Sequence, residues 1–162
     1  MMTPRIIADT PRQLIGMRRT MRLSHNQTGE LWRRMMPRRI EIPHPLNSDL
    51  ISMAIYPPGY FANFDLNNEL ERWAAIQVTH LTKVPDGMET FLLTGGLYAV
   101  FDYKGSSADS TIFEYIYNSW LPNSGYVLDD RPHFEILGEK YKNNDARSEE
   151  EIWIPIKPKP SI

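Results

Sequence analysis

The chain reads as an α+β domain made of two similar halves, and three features of the sequence predict it. Apolar alternation of period two, the mark of a half-buried strand, gives way to spacings of three and four and then returns, twice over. The order strand, helix, strand, strand therefore occurs once in residues 12–87 and again in residues 88–157. Trp73 and Trp153 fall at matching places in the last strand of each half. A chain of 162 residues with 41% hydrophobic and 23% charged side chains can bury a substantial core, and that balance is close to average for soluble domains.

In the first half, Leu14 to Leu23 forms a strand with imperfect alternation, placing Ile15, Met17, Arg19 and Met21 on one face. Asn26 or Thr28 can cap a short helix whose Leu31, Trp32, Met35 and Met36 share a side until Pro37 ends it. Pro43, His44 and Pro45 enforce an extended loop. Leu50 to Tyr56 is the second strand, broken by Pro57, Pro58 and Gly59. The aromatic and Asn-rich connection that follows is a lid or a packed loop, and Phe61 within it is a weaker candidate for a ligand contact. Glu71 to Leu81 is the third strand, with Arg72, Ala74, Ile76 and Val78 on one face and Trp73, Ala75 and Gln77 on the other.

Val84 to Gly87 turns the chain, and Glu89 to Leu93 leads into Gly95 and Gly96. In the second half, Tyr98 to Tyr103 is a β-branched and aromatic strand closed by Lys104 and Gly105. Asp109 or Ser110 caps a helix in which Ile112, Phe113, Ile116, Tyr117 and Trp120 gather into one stripe, and Pro122 stops it. The next strand starts at His133, with Phe134, Ile136 and Gly138 pointing one way and His133, Glu135 and Leu137 the other. Phe134 and Ile136 are expected to meet the helix, which leaves Glu135 on the uncovered face. The last strand, Glu151 to Lys157, sets Ile152, Ile154 and Ile156 against Glu151 and Trp153. If these two strands are neighbours, an indole and a carboxylate share the uncovered face. Lys157 to Ile162 reads as a frayed tail.

Charge and composition narrow the function classes. Net charge is −2, but the first fifty residues hold nine Arg against four acids, a balance of +5 that leaves −7 for the remainder. No aromatic-interleaved basic motif accompanies the arginines, so a solvated face is the reading. With no Cys, thiol catalysis and disulfides are excluded, and a reducing, cytoplasmic location fits. No apolar run approaches the roughly 18 residues of a membrane span. The four His, at 25, 44, 80 and 133, lack metal-ligand spacing, so neither a metal nor a cofactor is expected.

Several motifs, taken in order, resemble the GyrI-like domain family of AraC-type effector-binding domains. They are G-x-Y-A-V-F-x-Y-K-G from Gly96, W-L-P-N-S-G-Y from Trp120, R-P-H-F-E from Arg131 and E-I-W-I-P-I from Glu151. A weaker likeness extends through L-W-R-R-M-M-P-R-R and V-P-D-G-M-E. The resemblance implies two pseudo-symmetric β-α-β-β halves forming an antiparallel sheet, with helices on one face and a ligand cleft on the other. It further implies binding of hydrophobic, including cationic, small molecules by a cleft carboxylate and aromatic walls. The matching acid is Glu135, and the aromatic residues brought forward with it are Trp153, Trp73, Tyr56, Tyr98, Phe101 and Tyr103. Because Tyr98, Phe101 and Tyr103 alternate, they cannot all face one cleft.

Only about ten residues precede the first strand, too few for a helix-turn-helix, so a stand-alone binding domain without direct DNA contact is expected. Two other readings compete: a hydrolase of strained electrophiles with Glu135 as general base, and a module that docks a protein partner or a second copy of itself.

Overall fold

A computed structural model describes residues 2–161. Its strands are β1 (Arg5–Asp9), β2 (Arg12–Arg22), β3 (Leu50–Ile55), β4 (Glu69–Val78), β5 (Glu89–Leu93), β6 (Gly96–Lys104), β7 (Tyr126–Leu128), β8 (His133–Leu137) and β9 (Glu149–Pro158). Helix α1 (Thr28–Met35) continues as a 3-10 turn through Met36–Glu41. Helix α2 (Thr111–Tyr115) widens into a π-helical stretch, Ile116–Trp120, and closes with α3 (Leu121–Asn123). Pro122 sits inside this last turn, and the helix ends one residue later.

All strand pairs are antiparallel, in the order β1-β6-β9-β8-β3-β4-β2-β5, with β7 on the far end of β9. The order is symmetric about the β3–β8 pair, where Met53 faces Phe134. Each half is thus strand, helix, strand, strand, as the sequence predicts. Each half also has a leading strand that the periodicity does not reveal as such. β1 leaves its own half to pair with β6, and β5 leaves its half to pair with β2. Since β1 and β2 are separated only by Thr10 and Pro11, and β5 and β6 only by Thr94 and Gly95, the two ends of the sheet must meet. The sheet therefore curls, and residues 9–12 and 93–96 form a shared corner.

Curling gives the sheet two buried faces. Residues opposite one another across strands share a face, so Met17, Ala74, Ser52, Glu135, Ile152 and Phe101 form one row across six strands. Arg18, Trp73, Met53, Phe134, Trp153 and Val100 form the adjacent row, pointing the other way. Leu31 and Met35 of α1 pack with Met17 and Ala74, and Ile112 and Ile116 of α2 pack with Ile152 and Phe101. Both helices thus lie on the first face. The second face is filled from within by Leu14, Met53, Trp73, Tyr98, Phe134 and Trp153.

The face assignment for β8 is therefore reversed from expectation. Phe134 turns away from the helices, and Glu135 lies beneath them. Alternation holds, but with both faces buried an apolar residue no longer marks the helix side. The tail is also shorter than expected, because Lys157 and Pro158 pair with Val127 and Tyr126.

Candidate functional site

Four strands build the floor of a cleft under the helices. Arg72 comes from β4, Ser52 and Ala54 from β3, His133 and Glu135 from β8, and Glu150 from β9. The residues after β3 form the wall. Pro57 and Pro58 stop the strand, Gly59 adopts a φ of 78°, and the Tyr60 N–H donates to the Pro57 carbonyl at 3.1 Å. This turn folds Tyr60 and Phe61 back onto Tyr56, with ring centroids 4.7 Å and 4.8 Å from the Tyr56 ring. His133 lies 4.8 Å from Tyr56 and stacks on Phe61 at 5.5 Å. From the π-helical segment, Tyr117 approaches Phe61 at 5.1 Å, and its hydroxyl lies 3.0 Å from His133 Nδ1. A π-helical turn inside an α-helix re-aims its side chains, and here it carries Tyr117, which reaches His133 on the floor.

Electrostatics sort these groups. Burial, with Arg131 nearby, pushes the His133 imidazole down to about 3, so the ring is neutral at physiological pH. Burial raises the Tyr117 phenol well above its usual range, so Tyr117 keeps its proton in this hydrogen bond. Glu135 lies deep in the cleft while retaining partial exposure, and burial raises its carboxyl. Glu150 is on the same face, diagonal to Glu135, and the two carboxyl groups are close enough to perturb each other. Burial and the Glu135 charge push Glu150 up to about 9. Two carboxylates this close cannot both ionise without mutual repulsion, so Glu150 keeps its proton at neutral pH.

Among the described residues, three buried side-chain polar atoms have no hydrogen-bond partner: Tyr60 Oη, Arg72 Nε and Glu150 Oε2. All three belong to this cleft. Arg72 stabilises the Glu135 carboxylate and the Tyr56 and Tyr117 phenolates electrostatically, yet makes no ion pair or hydrogen bond among the described residues. Buried polar groups are normally paired, since an unmade hydrogen bond costs about 1–3 kcal/mol. Three such groups in one place mark a site arranged for something other than its own stability.

Of the residues brought forward from the sequence, Glu135 and Tyr56 meet in this cleft. Tyr103 stands at its acidic end as the cross-strand partner of Glu150, with its hydroxyl donated to the Ser106 carbonyl at 3.0 Å. Phe101 is on the same face but fully buried under the helix, 5.3 Å from Trp120. Trp153, Trp73 and Tyr98 are on the opposite face. Phe134 stacks on Trp153 at 5.0 Å and touches Tyr98 edge-on at 5.2 Å, so these rings are core, not walls around Glu135. Each indole N–H is satisfied by the acid two residues before it, Trp73 by Glu71 and Trp153 by Glu151.

The strand pattern did contain a signal for the missing members. Arg72 is in phase with Ala74, Ile76 and Val78, and Glu150 is in phase with Ile152, Ile154 and Ile156. A charged residue on an apolar stripe has to be paired, or used. Tyr117 and Tyr60 gave no such sign, because a helical Tyr and a loop Tyr read as ordinary packing.

Two surface grooves, of about 480 and 470 Å³, lie apart from the aromatic cluster, although the first borders Tyr103 and Glu150. The cleft itself is closed by Tyr56, Tyr60 and Phe61 resting on one another.

Known proteins share this fold. The transcriptional regulator BrlR of Pseudomonas aeruginosa is 26% identical over 158 residues, which are 96% of this chain and 56% of BrlR. The chain thus spans about half the length of that curated relative. Among solved structures, SAV2435 bound to tetraphenylphosphonium superposes with a TM-score of 0.73 at 15% identity, over 96% of this chain and 94% of that one. The EcmrR C-terminal domain gives 0.72 at 15% identity, over 98% and 99%. A hydrolase encoded by lin2189 of Listeria innocua gives 0.60 at 11% identity, over 96% and 92%. The family model for the GyrI-like small molecule binding domain matches residues 2–157, and the chain belongs to that family.

Proposed function

We propose that the chain senses or sequesters hydrophobic small molecules, cationic ones among them, in the cleft under its two helices. The observation behind this reading is the Glu135–Glu150 pair, two carboxyl groups side by side on the floor beneath a cluster of aromatic rings. A carboxylate that has lost its hydration gains most from a cation that arrives without strong hydration of its own. Tyr56, Phe61 and Tyr117 add cation–π attraction of roughly 0.5–2 kcal/mol each once desolvated. Together with buried apolar area this supports micromolar affinity, about 8 kcal/mol. The tetraphenylphosphonium of the SAV2435 structure is a ligand of this chemistry. Gene regulation as in BrlR or EcmrR belongs to proteins longer than this chain, and what this domain would contribute to such a protein is the ligand response.

Calorimetric titration with tetraphenylphosphonium and with neutral triphenylphosphine oxide tests the reading. Glu135→Gln is expected to weaken the cation at least about tenfold and the neutral compound by no more than two- to threefold. Equal losses for both would remove the ion pair from the account.

The acid pair also supports a second reading. A protonated carboxyl beside a carboxylate supplies both a proton donor and a general base: Glu135 would take a proton from an attacking water, and Glu150 or a cleft Tyr would give one to the leaving oxygen of a strained ring. Mass spectrometry of small epoxides after incubation decides it. Diol formed by wild type and absent with Glu135→Gln would make the protein a hydrolase, and epoxide recovered intact removes this reading.

A further inference from the structure

We infer that the cleft takes an amphoteric ligand, one whose cationic group meets Glu135 and whose hydrogen-bond acceptor, a carboxylate above all, meets Arg72 and Tyr60. This rests on the cleft being the ligand site. The poles come from different halves of the molecule: the acid pair from β8 and β9, and Arg72 and Tyr60 from β4 and the loop after β3. At the acid pole, Glu150 is 9% exposed with Oε2 unpartnered. At the other pole, Tyr60 is 4% exposed with its hydroxyl unpartnered, and the buried Arg72 Nε has no acceptor.

Excess positive charge at the Arg72 pole is built into the sheet. Arg19 lies directly opposite Arg72 on the same face, and of the two only Arg19 is paired, with Glu30 at 3.2 Å. Like charges facing across a strand pair are unfavourable unless a counter-charge is supplied. Among the described residues Arg72 has no ion-pair or hydrogen-bond partner. With the acid pair at one end and Arg72 at the other, the cleft is dipolar. A simple cation gains at one end and is repelled at the other, whereas a ligand with both charges gains twice. Guanidinium groups favour planar oxyanions, and the Tyr60 hydroxyl is a second donor for the same group.

Rhodamine B, an aromatic zwitterion, and its ethyl ester, the corresponding cation, form a matched pair of probes for fluorescence anisotropy titration. Wild type is expected to bind the zwitterion about tenfold more tightly than the ester, in line with a charge-assisted hydrogen bond. Arg72→Gln should remove that preference, and Tyr60→Phe should reduce it in part. Glu135→Gln should weaken both dyes. If wild type prefers the ester, or if the preference survives in Arg72→Gln, the amphoteric assignment is wrong while the site stands, provided that Glu135→Gln still weakens both. If neither dye binds, or binding ignores Glu135, the site reading and this inference fall together. Urea melts of each variant verify folding, and Arg72→Lys, which keeps the charge without the fork, should retain an intermediate preference.

Discussion

A buried carboxyl pair that retains a proton at neutral pH makes the stability of the molecule depend on pH in a defined direction. Glu150 titrates near 9 in the folded chain and about 4.3 when unfolded. Across that window the folded state binds more protons than the unfolded state, so stability is full below the lower value and declines as pH rises toward 9. His133, held neutral down to about 3 against an ordinary value near 6.5, acts in the opposite sense, and its contribution is lost as pH falls below that value. A stability maximum on the slightly acid side of neutrality follows. Glu150→Gln should be more stable than wild type at pH 8 by about 1–2 kcal/mol, after allowing for water near the pair, and should flatten the alkaline limb. Thermal unfolding from pH 4 to 9 measures both, and a wild-type alkaline limb as flat as the mutant's would contradict the retained proton.

At the scale of elements, both helices begin with the same device. Asn26 Oδ1 accepts from the Thr28 N–H at 3.0 Å and from the Thr28 hydroxyl at 2.6 Å; Asp109 Oδ1 accepts from Thr111 at 2.9 and 2.6 Å. Both residues were legible as caps, because short polar side chains before an apolar stripe satisfy the free N–H groups of a first turn. The formal cap residues, Gln27 and Ser110, make no such bond. Asp109→Ala should therefore cost about 1 kcal/mol by urea unfolding, and Ser110→Ala close to nothing. Strand β1 and the inward face of β8 were not legible. RIIAD at the start of a chain resembles any short terminal segment, and it becomes a strand only because β6 offers it an edge.

For the whole molecule, the corner where the sheet ends meet depends on two arginines set among aromatic rings. Arg131 donates to the carbonyls of Gly95, Leu97 and Ile156 at 3.1, 2.6 and 3.1 Å, bonds Asp129, and covers the Tyr98 ring at 4.6 Å. Arg12 bonds Asp9 at 2.8 Å and lies 5.0 Å from the Trp153 ring centroid. Lysine cannot reproduce a fork that reaches three carbonyls, so Arg131→Lys should cost about 2–3 kcal/mol in chemical unfolding with little change in the denaturant slope. A loss below half a kcal/mol would mean that the corner is held by backbone pairing alone.

The sequence by itself determined the α+β class, the two strand-helix-strand-strand halves, the alternation within each strand and the helix entries. These follow from local periodicity and side-chain chemistry, which act over a few residues. Tertiary structure alone decided which face is which. Once the exchange of β1 and β5 curls the sheet, both of its faces are buried and hydrophobicity no longer tells the helix side from the other. That is why Trp73, Trp153 and Tyr98 became core, and why Arg72, Glu150, Tyr60 and Tyr117, distant in sequence, were brought to Glu135.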